Sequence, residues 1–111
     1  MQKYMYLFRG GEAARAALSP EEMQAHMKKW NTWFQGLGGA FLGGEPLDST
    51  GKVVRGKGKS VSDGPFAETK DLVGGYAIVS AKSLDDAVEI ARDCPIFEAD
   101  GAVEVRAVRP M

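Results

Sequence analysis

The chain has 111 residues, 44% of them hydrophobic and 26% charged, the proportions of one ordinary globular domain rather than of a disordered or membrane-spanning segment. Fourteen Lys and Arg against fifteen Asp and Glu leave a net charge of -1, which excludes the global positive field behind nonspecific nucleic-acid or anionic-membrane binding. One cysteine, Cys94, and one histidine, His26, exclude an intramolecular disulfide and a side-chain zinc cluster.

The opening Met1 to Arg9 alternates like a strand and lacks an apolar run followed by a small-residue cleavage site, so it reads as structure rather than as a targeting segment. Together with the lone cysteine, this gives the expectation of a cytoplasmic protein. Tyr4, Tyr6 and Phe8 fall on one side of that strand and Met5, Leu7 and Arg9 on the other, so both faces are largely apolar and the strand is expected at the centre of a sheet. Gly10 and Gly11 break it, and the Ala-rich stretch to Leu18 reads as a loop or short helical turn.

Ser19-Pro20-Glu21-Glu22 predicts a helix start, with a hydroxyl cap, proline in the first turn and a carboxylate placed to complete a capping box. Met23, Met27, Trp30, Phe34 and Leu37 follow at four-three spacing as its apolar stripe, and Gly36, Gly38 and Gly39 end it. Ala40 to Glu45 reads as a second strand whose glycines permit close approach of another backbone or a ligand.

Gly51 to Ser62 reads as an exposed hairpin turning at Gly56-Lys57-Gly58, with Lys52, Arg55, Lys57 and Lys59 as a solvated face that resists edge pairing. Gly58-Lys59-Ser60 matches the end of a phosphate loop, but Val53 stands where the first glycine is required, so a nucleotide loop is rejected. In Ser62-Asp63-Gly64-Pro65-Phe66, proline restricts its own and the preceding backbone, and Asp63 is expected on a rigid turn, either presenting its carboxylate or merely capping the turn.

Val73 to Ala81 predicts a long strand covered on both sides. Ser83 caps a helix with Asp85 and Asp86 in its first turn and Leu84, Ala87, Val88 and Ala91 as its buried stripe, stopped by Pro95. Val103 to Val108 is a final alternating strand. This order predicts an α+β domain over residues 1–111, a split βαβ antiparallel sheet with an inserted hairpin and both helices on one side. The uncovered apolar face then predicts a two-fold homodimer, sheet against sheet.

His26 lies on the edge of the first helix's stripe, where it either titrates as a general acid or base or sits as a satisfied core histidine. Asp63 pairs with it if its turn folds over the helix. Trp30 and Trp33 read as core filling or as a stacking surface for a planar substrate. Glu68 and Lys70 read as site groups or a surface ion pair. Cys94, beside Pro95, Ile96 and Phe97, is expected to be buried rather than nucleophilic. No cofactor motif is present in the sequence.

Asp63-Gly64-Pro65-Phe66-Ala67-Glu68-Thr69-Lys70, followed by Gly74-Gly75-Tyr76, resembles the DGPF branch of the YCII-related family, supported by Lys3-Tyr4-Met5, Ser19-Pro20-Glu21-Glu22-Met23, Gly43-Gly44-Glu45-Pro46-Leu47 and Val103-Glu104-Val105-Arg106. The resemblance implies a ferredoxin-like fold dimerising into an α/β barrel, with His26 and Asp63 as an acid–base dyad. Some members resemble lyases that remove chloride from chlorinated hydroxyquinols. Others are linked to extracytoplasmic-function sigma factors, which implies a regulatory or accessory role instead. Met23 departs from the arginine common three residues before the family histidine, leaving Arg9 as the candidate anion-binding residue. The two resulting expectations are a cofactor-independent lyase or isomerase on a small cyclic or aromatic compound, and a noncatalytic binding module.

Overall fold

The computed structural model describes residues 1–64 and 71–111. Its central strand, β1 (Gln2–Arg9), follows from a sequence apolar on both sides. β1 pairs antiparallel with β5 (Val73–Ala81) and with β6 (Ala102–Ala107), and β5 pairs antiparallel with β2 (Phe41–Pro46). The resulting order β2-β5-β1-β6 is that of a ferredoxin-like α+β sheet.

Alternation along the strands divides the two faces. Tyr4, Tyr6, Phe8, Ala77, Val79 and Ala81 are buried under the helices, while Met5, Leu7, Tyr76 and Ile78 are only half-buried on the opposite side. Tyr6 is completely enclosed and its phenol donates to the Ala87 carbonyl at 2.5 Å, tying β1 to the second long helix. Burial, assisted by the nearby Asp86 and Cys94, pushes that phenol up to about 12.

A short helix, α1 (Glu12–Ala16), occupies the Ala-rich stretch, and α2 (Pro20–Leu37) begins where the capping residues predict. Ser19 Oγ accepts from the Glu22 N–H at 3.1 Å, and Glu22 Oε1 accepts from the Ser19 N–H at 2.9 Å. Trp30, Trp33, Phe34 and Leu37 pack on the core, but Met27, expected in the stripe, is 48% exposed. At about 100° per residue, the arc facing the sheet is centred on His26, Trp30, Trp33 and Leu37, which puts Met27 at its rim. A 3-10 turn, Gly38–Ala40, leads into β2.

The helix α3 (Leu84–Ala91) is capped by Ser83, whose Oγ accepts from the Asp86 N–H at 3.1 Å. Ala87 and Ala91 are buried against the sheet, whereas Leu84 and Val88, read as members of that stripe, are largely or partly exposed. The alanines allow close approach of α3 to Tyr6, and the branched residues fall to the sides. The 3-10 turn Pro95–Ala99 then buries Ile96 in the core. In β2, a Cβ on Gly44 would collide with the Tyr76 carbonyl and stand 2.9 Å from Ala77 Cα, so this strand approaches β5 only because the residue is glycine.

β3 (Gly51–Arg55) and β4 (Ser60–Gly64) form a separate two-stranded hairpin. Asp63 lies inside β4 rather than on a turn, because Gly64 pairs with Gly51 and Asp63 with Lys52, carrying the ladder into the Asp-Gly-Pro motif. Val54 and Val61 oppose each other on this hairpin and are 65% and 62% exposed. The described residues are flat, 45 × 43 × 18 Å, as one layer of helices over one sheet requires. None of their helices is long and apolar enough to cross a membrane.

Candidate functional site

His26 sits on the buried arc of α2 and is only 6% exposed. One turn later on the same helix, Trp30 Nε1–H donates to His26 Nε2 at 3.0 Å. With the Nε2 lone pair engaged, the neutral ring carries its proton on Nδ1, an assignment that follows from the hydrogen-bond network. Nδ1 faces Glu98 Oε2 at 3.9 Å, within ion-pair range of an imidazolium but too long for a direct hydrogen bond. Glu98 Oε1 in turn accepts from Lys29 Nζ at 2.9 Å, so Glu98 stands between the imidazole and an ammonium.

Glu98 is not among the residues expected at the site. It comes from the 3-10 turn Pro95–Ala99, which packs against α2, and the only local hint was that Pro95 turns the chain. Nothing in the spacing of residues 26 and 98 announces their approach.

Two cavities are lined by one or the other of the His26–Trp30 pair. A smaller one, about 310 Å³, is lined by His26 itself with Leu18, Glu22, Lys29 and Glu98. A larger one, about 570 Å³, is lined by Phe8, Trp30, Phe34 and Phe41, with Arg15, Asn31 and Glu45 as polar residues among the described lining. Trp30 belongs to both settings, since its N–H meets the imidazole while its ring forms cavity wall. The edge-on contact of Trp30 with Phe8, ring centres 5.1 Å apart and planes at 90°, holds that wall in place.

The other expected site residues are dispersed. Asp63 is 90% exposed in its side chain and accepts from Lys52 Nζ at 2.7 Å, and no hydrogen bond or ion pair joins it to His26 within the chain. Arg9 is engaged by Glu104 at 2.8 Å and donates to the Asp71 carbonyl at 2.7 Å, so its guanidinium is held at the end of β1. Trp33 donates to the Ile90 carbonyl at 3.4 Å and stacks on Tyr6, a core role. Glu68 and Lys70 lie outside the described residues.

Cys94 is 3% exposed, and burial pushes its thiol up to about 12, a poor state for a nucleophile. Among the described residues, no cluster of His, Cys, Asp and Glu is arranged to hold a metal ion.

The model of the YCII-related domain matches residues 3–111, and the chain belongs to that family. An uncharacterized protein of Rhizobium meliloti (strain 1021) is 41% identical over 51 residues, a match that covers 46% of this chain and 40% of the relative's length. The chain is also similar to 5-chloro-2-hydroxyhydroquinone dehydrochlorinase of Burkholderia phenoliruptrix, solved in complex with 2,5-dihydroxybenzoquinone. That likeness has a TM-score of 0.58 and 16% identity, and covers 100% of this chain and 96% of the other. At such identity it establishes the shared fold.

Proposed function

We propose that this protein is a homodimeric, cofactor-independent lyase or isomerase acting on a small cyclic or aromatic compound, with His26 as its acid–base group. The observation that carries this reading is the placement of the sole histidine, buried, held at Nε2 by Trp30 and facing the Glu98 carboxylate with Nδ1, behind the wall of an aromatic cavity of about 570 Å³. A single planar ring fits such a volume, and the similar dehydrochlorinase binds one, a dihydroxybenzoquinone.

In this reading the substrate stacks on Trp30, and His26 takes a proton from the ring compound as its leaving group departs with the bond electrons. Nε2 performs that step once the Trp30 N–H releases it, and the Glu98 carboxylate stabilises the resulting imidazolium through Nδ1. His26→Asn is expected to abolish turnover of any ring compound the protein converts while preserving the fold by circular dichroism. Turnover at the wild-type rate in that variant sinks the proposal.

The proposed dimer rests on the half-buried sheet face of Met5, Leu7, Tyr76 and Ile78, which no helix covers among the described residues. Leu7→Glu is expected to yield a monomer by light scattering; a wild type that is itself monomeric at micromolar concentration removes the dimer. The His26–Asp63 dyad belongs to the proposal as a contact between copies, supported by the exposure of Asp63 on a hairpin outside the main sheet. Wild-type turnover in Asp63→Asn would take Asp63 out of the site.

A second reading is a noncatalytic small-molecule-binding module, regulatory or accessory to a sigma factor. It is favoured by the Trp30 hydrogen bond to His26, which occupies the imidazole from within its own helix. Ligand binding with no conversion, unchanged in His26→Asn, selects this reading over the first.

A further inference from the structure

Arg15 is not among the expected site residues, yet among the described residues it is the cationic side chain on the larger cavity. It projects from α1 over two glycines. A Cβ on Gly11 would lie 3.1 Å from its Nη1, and one on Gly74 would lie 3.7 Å from its Nη2. The bare backbone at Gly11 leaves room for the guanidinium, while at Gly74 a Cβ would only touch it.

The group is half-buried, and among the described residues it has neither an ion pair nor a side-chain hydrogen bond. Glu45 lines the same cavity and Glu12 lies beside Gly74, but neither approaches Arg15 within ion-pair distance. This differs from Arg9, whose donors are taken by Glu104 and Asp71. A guanidinium carries five N–H donors in a planar fork, and withdrawing them from water without acceptors is unfavourable. The same cavity is lined by Phe8, Trp30, Phe34 and Phe41, which offer ring faces and edges, and Glu45 is the one carboxylate among its described lining residues.

We infer that Arg15 is the anchor for an aromatic carboxylate, the ring lying against Trp30 and the phenylalanines and the carboxylate received by the guanidinium fork. The inference rests on the proposed function for the aromatic class of ligand and adds the acidic group and the residue that selects it. It concerns binding, and is separable from the proton chemistry of His26.

The test is calorimetric titration of 1-naphthoate and its neutral isostere 1-naphthamide into the full chain at low salt. The wild type is expected to prefer the acid by roughly tenfold, the scale of a charge-assisted hydrogen bond. Arg15→Gln is expected to equalise acid and amide, and Arg15→Lys to keep part of the preference, since an ammonium supplies charge without the fork. No binding of naphthoate, equal binding of acid and amide by the wild type, or a preference retained in Arg15→Gln each overturns the assignment. The wild-type comparison decides the matter if a variant fails to fold. Turnover unaffected in His26→Asn defeats only the acid–base reading, whereas an acid preference unaffected in Arg15→Gln defeats only this one.

Discussion

Trp30 and His26, one helical turn apart, are joined by an indole N–H to imidazole Nε2 hydrogen bond of 3.0 Å. It fixes which ring nitrogen holds the proton, and it ties the chemistry-bearing residue to the wall of the larger cavity. Trp30→Phe keeps an aromatic ring but removes the donor, leaving a buried acceptor unpaired. The expected cost is about 1–3 kcal/mol of stability by urea denaturation. Nitrogen NMR of the imidazole should show a redistributed tautomer, and an unchanged tautomer signature would mean the indole does not set it.

Glu98→Gln leaves a side chain of the same shape and deletes the charge facing Nδ1 and Lys29. Because Glu98 is about half exposed, the stability change is expected to stay below about 1 kcal/mol. The Nδ1 resonance is expected to move even so, and a silent resonance would remove Glu98 as the orienting carboxylate.

Tyr6 and Cys94 make stability fall in alkali. Both groups are raised in the folded chain to about 12, from ordinary values of 10.0 for a phenol and 9.0 for a thiol. Their contribution is therefore complete below about pH 9, where both states are protonated, and is lost as pH rises toward 12 because the unfolded chain releases its protons first. Urea midpoints measured from pH 8 to pH 11 should fall, and the fall should be shallower in Cys94→Ala. Native Cys94 should also resist alkylation at pH 7.5 until the chain is unfolded.

Gly44→Ala forces a methyl group against the Tyr76 carbonyl and Ala77. The expected loss is about 1–3 kcal/mol, the range for overpacking, read as a lowered thermal midpoint. A midpoint equal to that of the wild type would show that β2 shifts without cost.

Ser19→Ala removes the hydroxyl that accepts from the Glu22 N–H. It should cost about 1 kcal/mol in chemical denaturation. Because hydrogen bonds from Ser19 hold the Glu22 carboxyl below its usual range, this cap is present above the ordinary carboxylate pKa and is lost as pH falls through the lowered one. Most of that acid loss runs through the Ser19 backbone N–H, which alanine keeps, so the wild type should retain most of its advantage over Ser19→Ala in acid.

The parts of this fold that were legible in the sequence are those fixed by local chemistry. The hydroxyl, proline and carboxylate at residues 19–22 announced α2, and the two-sided apolar pattern of residues 4–8 announced a central strand. Val73–Ala81 came out at the expected bounds because both of its faces alternate without interruption. Met27 and Leu84 were misplaced because helical spacing gives an apolar arc wider than the part a sheet covers. Asp63 was read from its proline-restricted neighbours, but cross-strand pairing with Lys52 determines its backbone. Glu98 and Arg15 are brought to their cavities by tertiary packing of short helical segments, for which no periodicity exists to be read.

The strand order β2-β5-β1-β6 alternates the two ends of the chain: β1 and β2 precede the hairpin tip, while β5 and β6 follow it. Every ladder of the main sheet therefore joins one half of the polypeptide to the other, and neither half has a strand pair of its own to begin with. The sheet is assembled by long-range encounters, which slows its formation relative to a meander of equal size. Cut between Gly56 and Lys59, the polypeptide would give two fragments that stay unstructured apart and restore one interleaved sheet when mixed.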